Sequence, residues 1–144
     1  MGMFQGCSEM VTSPQKIYLA DMSTDCCRTM FYKCSSLVNI PETWCPNVTE
    51  LGYYVYNSSG SKTWKMASNC FMSCFRETAI KKLPQLPATT LANTCYGYMF
   101  AGCKGLTKQE GWYLPCESFN INQTKGCYNY MFTDCTNLVE MYTK

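Results

Sequence analysis

The sequence predicts an α/β repeat solenoid of about five coils, each pairing a short helix or 3-10 turn with one short strand of a parallel ladder. Three observations lead there. A twelve-residue phrase recurs, as "CCRTMFYKCSSL" at 26–37, "CYGYMFAGCKGL" at 95–106 and "CYNYMFTDCTNL" at 127–138. In the fullest copy Leu91, Cys95 and Met99 fall at i, i+4 and i+8, the spacing of one helical face. Beyond several copies a proline closes a short apolar stretch, which reads as a strand and its stop. A helix and strand of this size cannot bury an apolar side alone, whereas stacked copies can.

The shared skeleton is C-x-x-x-M-F-x-x-C-x-x-L. Cys26, Met30, Phe31, Cys34 and Leu37 fill it once; Cys95, Met99, Phe100, Cys103 and Leu106 fill it again. Cys127, Met131, Phe132, Cys135 and Leu138 make the third copy. The amino terminus carries a truncated copy, with Met3, Phe4, Cys7 and Met10 in register. A degenerate copy lies at 69–80. There Ser73 and Cys74 stand for Met-Phe, Glu77 for the second cysteine and Ile80 for the leucine. The phenylalanine position then recurs at 4, 31, 74, 100 and 132, giving steps of 27, 43, 26 and 32 residues. That is a unit near 26 with insertions at about 42–68 and 110–126.

Within a unit, Thr89 or Thr90 after Pro87 would cap the helix and Gly102 would end it. Leu106, or Leu37 with Ile40 and Pro41, opens the strand. Leu83 precedes Pro84 in the same way. One domain spans 1–144.

Read as a unit, 83–106 resembles the repeat of BspA-like leucine-rich-repeat surface proteins, in which Met-Phe-x-x-Cys-x-x-Leu recurs before a Leu-Pro strand end. The resemblance covers 3–41 and 69–144 and not the first insertion. It implies a short, irregular leucine-rich-repeat solenoid and, by analogy, adhesion at a bacterial surface or from a secreted protein. It implies no catalytic residue. The chain opens in mid-unit and has no polar cap at either end. It therefore reads as a piece of a longer array or as a subunit whose ends neighbours cover.

Composition narrows the chemistry. There is no histidine, which removes the commonest metal ligand and neutral-pH acid or base. The ten carboxylates form no pair at catalytic spacing, so an enzyme is not expected. A net charge of +2 from dispersed lysines and two arginines does not suit nucleic acid. No apolar run is long enough to span a membrane, and the opening stretch has no signal-peptide pattern. No cofactor and no metal is expected.

The twelve cysteines allow two readings. They are small buried hydrophobes, or they pair between coils. Equivalent positions on adjacent coils lie about 4.8 Å apart, so Cys103–Cys135, Cys95–Cys127 and Cys7–Cys34 are the pairs to suspect. Zinc is disfavoured by the missing histidine and the long spacings.

Partner recognition is expected where the phrase is interrupted. The first insertion carries Tyr53, Tyr54, Tyr56 and Trp64 among Asn, Ser, Gly and Lys, a paratope-like mixture. The second carries Trp112 and Tyr113. Residues beside the strand leucines form a modestly basic strip: Val38, Asn39, Lys81, Lys82, Thr107, Lys108, Val139 and Glu140. Three N-x-S/T sequons fall at Asn47, Asn57 and Asn122, all in the insertions. The expected partner is a protein or cell-surface ligand. The rival expectation is a structural subunit of a surface appendage or phage particle, self-associating end to end. Extracellular or cell-surface location goes with the first, the virion with the second.

Overall fold

The repeated phrases are built from turns, not helices. The computed structural model describes residues 2–19, 22–48, 50–114 and 125–142. Among them there is no helix, and only four short strands occur. β1 (Gly52–Tyr56) pairs antiparallel with β2 (Lys62–Met66); β3 (Lys108–Glu110) pairs parallel with β4 (Glu140–Tyr142). Two isolated parallel bridges, Thr12 with Asn39 and Glu50 with Thr90, do not extend these sheets. The expected leucine-rich-repeat solenoid of about five coils, with its helices and continuous parallel ladder, is therefore not what forms.

The local reason is a four-residue backbone period. In the stretch 23–34 the N–H groups of Cys26, Arg28, Met30, Tyr32 and Cys34 each bond the carbonyl three residues back, at 3.1–3.2 Å. Every second of these turns has a positive φ at its third residue: Asp25 (60°), Thr29 (55°) and Lys33 (61°). An α-helix tolerates no such residue, so the chain runs as a ribbon of alternating turns. A period of four also places i, i+4 and i+8 on one side, as a helix does over two turns. Leu91, Cys95, Met99 and Cys103 accordingly remain buried on one side. The apolar stripe expected from the sequence is present on a different backbone.

The alternate N–H groups leave the ribbon. Those of Asp25, Cys27, Thr29, Phe31 and Lys33 donate to the carbonyls of Ser68, Cys70, Met72, Cys74 and Arg76, at 2.9–3.1 Å. Asn69, Phe71, Ser73, Phe75 and Glu77 donate in turn to Asn93, Cys95, Gly97, Met99 and Ala101, and Thr94 to Gly102 continue the pattern to the last ribbon. In the ribbons at 25–33, 69–77 and 94–102 both sets of amide groups are thus satisfied, one within a ribbon and one between ribbons. Among the described residues ten other than glycine adopt positive φ, each at a cost of about 1 kcal/mol. A net backbone bond returns a similar amount, so the margin comes from burial.

That burial is aromatic. Phe4, Phe31, Phe75, Phe100 and Phe132 stack in one column, with centroids 5.2–5.9 Å apart and planes within 12°. Phe71, Tyr96 and Tyr128 make a second column at 5.7 and 5.9 Å. Trp44 from the first insertion sets its edge against Phe71 and Phe75, and Trp112 from the second does the same to Phe100 and Phe132. Stacked rings at this offset add about 0.5–1.5 kcal/mol per pair beyond their buried area.

The columns correct the register of the degenerate copy. Phe75, not Cys74, occupies the phenylalanine place, so Cys74 takes the methionine place instead of Ser73. Thr78, not Glu77, stands for the second cysteine, and its Oγ1 lies 3.4 Å from Cys103 Sγ. Ile80 is fully buried in the leucine place, because this copy is one residue shorter after its phenylalanine. The steps are therefore 27, 44, 25 and 32 residues. Met30, Cys34, Leu37, Leu83, Leu106, Cys127, Met131 and Cys135 are buried as expected, while Phe4, Phe132 and Leu138 are half-buried. Met3 is 74% exposed and Cys7 is exposed, so the expectation that both lie in the core fails.

Substitutions separate ribbon from helix. Gly102 has φ of 72°, and an added Cβ would meet Glu77 Cγ at 3.1 Å. Gly102→Ala is expected to destabilise by about 1–2 kcal/mol in urea unfolding, where a helical site would gain about 1 kcal/mol. Thr29→Gly, at φ of 55°, is expected to stabilise by up to about 1 kcal/mol. Phe75→Ala should cost about 3–5 kcal/mol. A cost below about 1 kcal/mol would place the wrong residue in the column.

Candidate functional site: a lysine-lined cleft and an aromatic hairpin

Lysines of the strip expected from the sequence gather at the edge of the β3–β4 pair. Lys81, Lys82 and Lys108 line an open cleft of about 410 Å³ with Glu42, Gln109 and Trp112. Two buried groups hold it in shape. The Gln109 amide donates to Lys81 O and accepts from Leu83 N, both at 2.9 Å, filling with a side chain the place a third strand would take. Trp112 Nε1 donates to Pro84 O at 2.9 Å. Trp112 is 4% exposed, so its expected role as a contact residue is corrected: it packs the phenylalanine column and floors the cleft.

The cleft carries little net charge. Lys82 lies 3.7 Å from Glu42, and Lys108 lies 3.0 Å from Glu110 and 3.9 Å from Glu140. These side chains are about half exposed or more, so each pair contributes little to stability. They do neutralise two of the three lysines. Lys81 has no ion-pair partner among the described residues and is the cation left for a ligand. A mixed polar surface fits this cleft better than a polyanion does.

The first insertion is a β-hairpin. Gly52 lies opposite Met66, and Tyr54 lies opposite Trp64. Gly52 is required there, because a Cβ would collide with the Trp64 ring and the Lys65 carbonyl. The Tyr54 and Trp64 rings meet edge to face at 4.9 Å, and Lys62 Nζ sits 4.5 Å from the Tyr54 centroid. Asn57 Oδ1 organises the turn by accepting from Ser59 N, Ser59 Oγ and Ser61 N. Tyr54 is 49% and Tyr56 67% exposed; Tyr53 and Trp64 are half-buried. Tyr113 is exposed beside the cleft. The expected contact residues thus fall into two groups, one on the hairpin and one at the cleft.

Of the sequons, Asn47 has its side chain engaged with the Leu19 backbone through both amide atoms. Asn122 lies outside the described residues, as does Cys116. Sequence reasoning missed an outer stack in which the Arg76 guanidinium lies 5.6 Å from the Tyr32 ring and 5.7 Å from Tyr98, which stacks on Tyr130. The Tyr-Met-Phe in two copies was its visible signal.

None of the eleven described cysteines is in a disulfide, so the three suspected pairs do not form. The repeat thiols have another use. Cys34, Cys103 and Cys135 each donate to the phenylalanine carbonyl of the preceding ribbon, Phe4, Phe75 and Phe100, at 2.9–3.1 Å. Burial pushes the Cys45 and Cys95 thiols up to about 12 and Cys103 to about 11. Cys26 differs. Its Sγ lies 3.8 Å from Cys27 Sγ and 3.8 Å from Met22 Sδ, and hydrogen bonding by Cys27 holds its thiol down at about 7 despite burial. Among the described residues no three His, Cys, Asp or Glu side chains converge on a metal position, and no helix is long and apolar enough to cross a membrane.

No protein-family profile, curated protein or solved structure matches this chain.

The thiolate is the reactive form, so alkylation of Cys26 should rise with pH and reach half its maximum near pH 7. At neutral pH, peptide mapping after brief iodoacetamide treatment is expected to mark Cys26 well ahead of Cys45, Cys95 and Cys103, which should react only after denaturation.

Proposed function

We propose that this chain is a non-enzymatic recognition module that binds a protein or cell-surface partner through the hairpin and the adjoining polar surfaces. The observation that carries the reading is the hairpin face. Tyr54 and Tyr56 stand half to two-thirds exposed beside Lys62 and Trp64, outside the aromatic columns that stabilise the fold. Tyrosine and tryptophan supply contact area with few rotors to freeze, and the neighbouring serines and asparagine supply adaptable hydrogen bonds. The cleft, with Lys81 outside any ion pair among the described residues and both signs of charge on its walls, adds a polar anchor. The Met-Phe-x-x-Cys-x-x-Leu phrase supports the same direction by its resemblance to BspA-like surface proteins. The proposed setting is a bacterial surface or the extracellular space, and the proposed role is adhesion.

The experiment is a binding screen of the chain against host matrix proteins, glycans and bacterial cells, repeated with Tyr54→Ser/Tyr56→Ser. Both side chains are exposed, so the variant should keep the wild-type circular dichroism. Loss of about tenfold or more in affinity is expected, as for aromatic anchors in other interfaces. No ligand in the screen, or a ligand bound equally well by the variant, sinks this reading.

A further inference from the structure

The copy at 26–37 departs from the others at one inward position. Cys27 N donates to Cys70 O at 2.9 Å, as Phe71 N does to Cys95 O and Tyr96 N to Cys127 O at the same distance. Phe71, Tyr96 and Tyr128 form the second aromatic column. Cys27 therefore stands where the next ring of that column would lie, and it is buried. A phenylalanine or tyrosine there would continue the stack, so packing alone does not call for a thiol.

In place of the ring there is a group of sulfurs. Cys26 Sγ lies 3.8 Å from Cys27 Sγ and 3.8 Å from Met22 Sδ. Its single S–H proton can bridge one of these contacts, so the other sets lone pairs against each other. The thiols of Cys34, Cys103 and Cys135, by contrast, each find a carbonyl oxygen. Sulfurs held about 2.3 Å from one metal ion lie about 3.8–4.0 Å apart, the separation found here. The backbone fixes two of the three residues: Cys26 N donates to Ser23 O at 3.2 Å, and Cys27 N to Cys70 O. Met22 and Cys27 are buried, while Cys26 is half-buried and opens the group to solvent.

We propose that Met22, Cys26 and Cys27 form a three-coordinate site for a soft monovalent metal ion, Cu(I). Two thiolates and a thioether are a soft donor set, and the thioether selects Cu(I) over harder ions. Zinc requires four ligands, and among the described residues no group of three Cys, His, Asp or Glu side chains offers them. The missing histidine disfavours zinc but not an ion held by sulfur alone. Binding replaces the thiol protons, which pass to solvent, and transfers no electron. The site shares no residue with the hairpin or the cleft, so it is independent of the recognition reading.

The test is an anaerobic titration of the reduced full chain with a Cu(I)–acetonitrile complex, in competition with a chromogenic Cu(I) chelator and with iodoacetamide mapping. One equivalent should slow Cys26 alkylation at least about tenfold, because the metal occupies the thiolate, and leave exposed Cys7 unchanged. Met22→Leu keeps the buried bulk and removes only the thioether. It should unfold in urea as the wild type does without metal. Its Cu(I) affinity should fall at least about tenfold, since even outer-shell changes cost that much. Cys26→Ala, at a half-buried position, should lose the first equivalent altogether. Excess Zn(II) should leave the Cu(I) in place. Cys26 left unprotected, or Cys7 protected instead, overturns the proposal. So does unaltered affinity in Met22→Leu or Cys26→Ala, or displacement of the Cu(I) by Zn(II).

Discussion

Everything else in this molecule depends on the alternation of backbone N–H groups, one turning inward to its own ribbon and the next reaching out to its neighbour. A helix satisfies its amides internally and a strand satisfies them externally. This backbone does both in turn, with a period of four residues. The positive φ at every fourth position is the conformational condition, met by ten of the described residues other than glycine. Such a ribbon has no stability of its own, since it leaves half its donors open. Its existence requires the next copy, which is why the phrase is repeated.

The apolar interior follows from that spacing. Ribbons joined by bonds of about 3 Å bring equivalent rings to 5.2–5.9 Å, the separation of offset stacking. One column of five rings and one of three then run through the core. The insertions serve this interior as well as the surface. Each sends one tryptophan, Trp44 or Trp112, to close the side of a phenylalanine pair. Trp112 Nε1 finds Pro84 O, while Trp44 Nε1 is buried with no acceptor among the described residues, so the two closures are not equally satisfied. Three repeat thiols complete the design: Cys34, Cys103 and Cys135 each cap a carbonyl that already accepts another bond, a role open to a small, weak donor.

The repeat, its insertions and most of its buried positions were legible in the sequence. The backbone was not. Leu91, Cys95 and Met99 satisfy a helix and a four-residue ribbon equally well over so short a span, and only the strict four-residue step through Cys103 tells them apart. The same ambiguity cost the register at Cys74 and Phe75, where a one-residue shortening was hidden by a second nearby aromatic, Phe71. For the site, the tyrosines of the hairpin and the lysines of the cleft could be named from composition and position. Trp112 could not be told from them, because an amphipathic ring suits surface and core alike. The Gln109 bridge, the Cys26–Cys27 contact and the Arg76 stack join residues that nothing in their local sequence links.

By itself the sequence determined that copies of one phrase must meet, most of the positions that face inward, and that acid–base chemistry on histidine is absent. These follow from periodicity and residue identity, which are local properties. Tertiary structure decided how the copies meet, because the choice among helix, strand and turn ribbon rests on whether a donor finds its acceptor 24 to 43 residues away. It also decided which aromatics are walls and which are surface. That depends on the neighbours a fold supplies, and no window of the chain contains them.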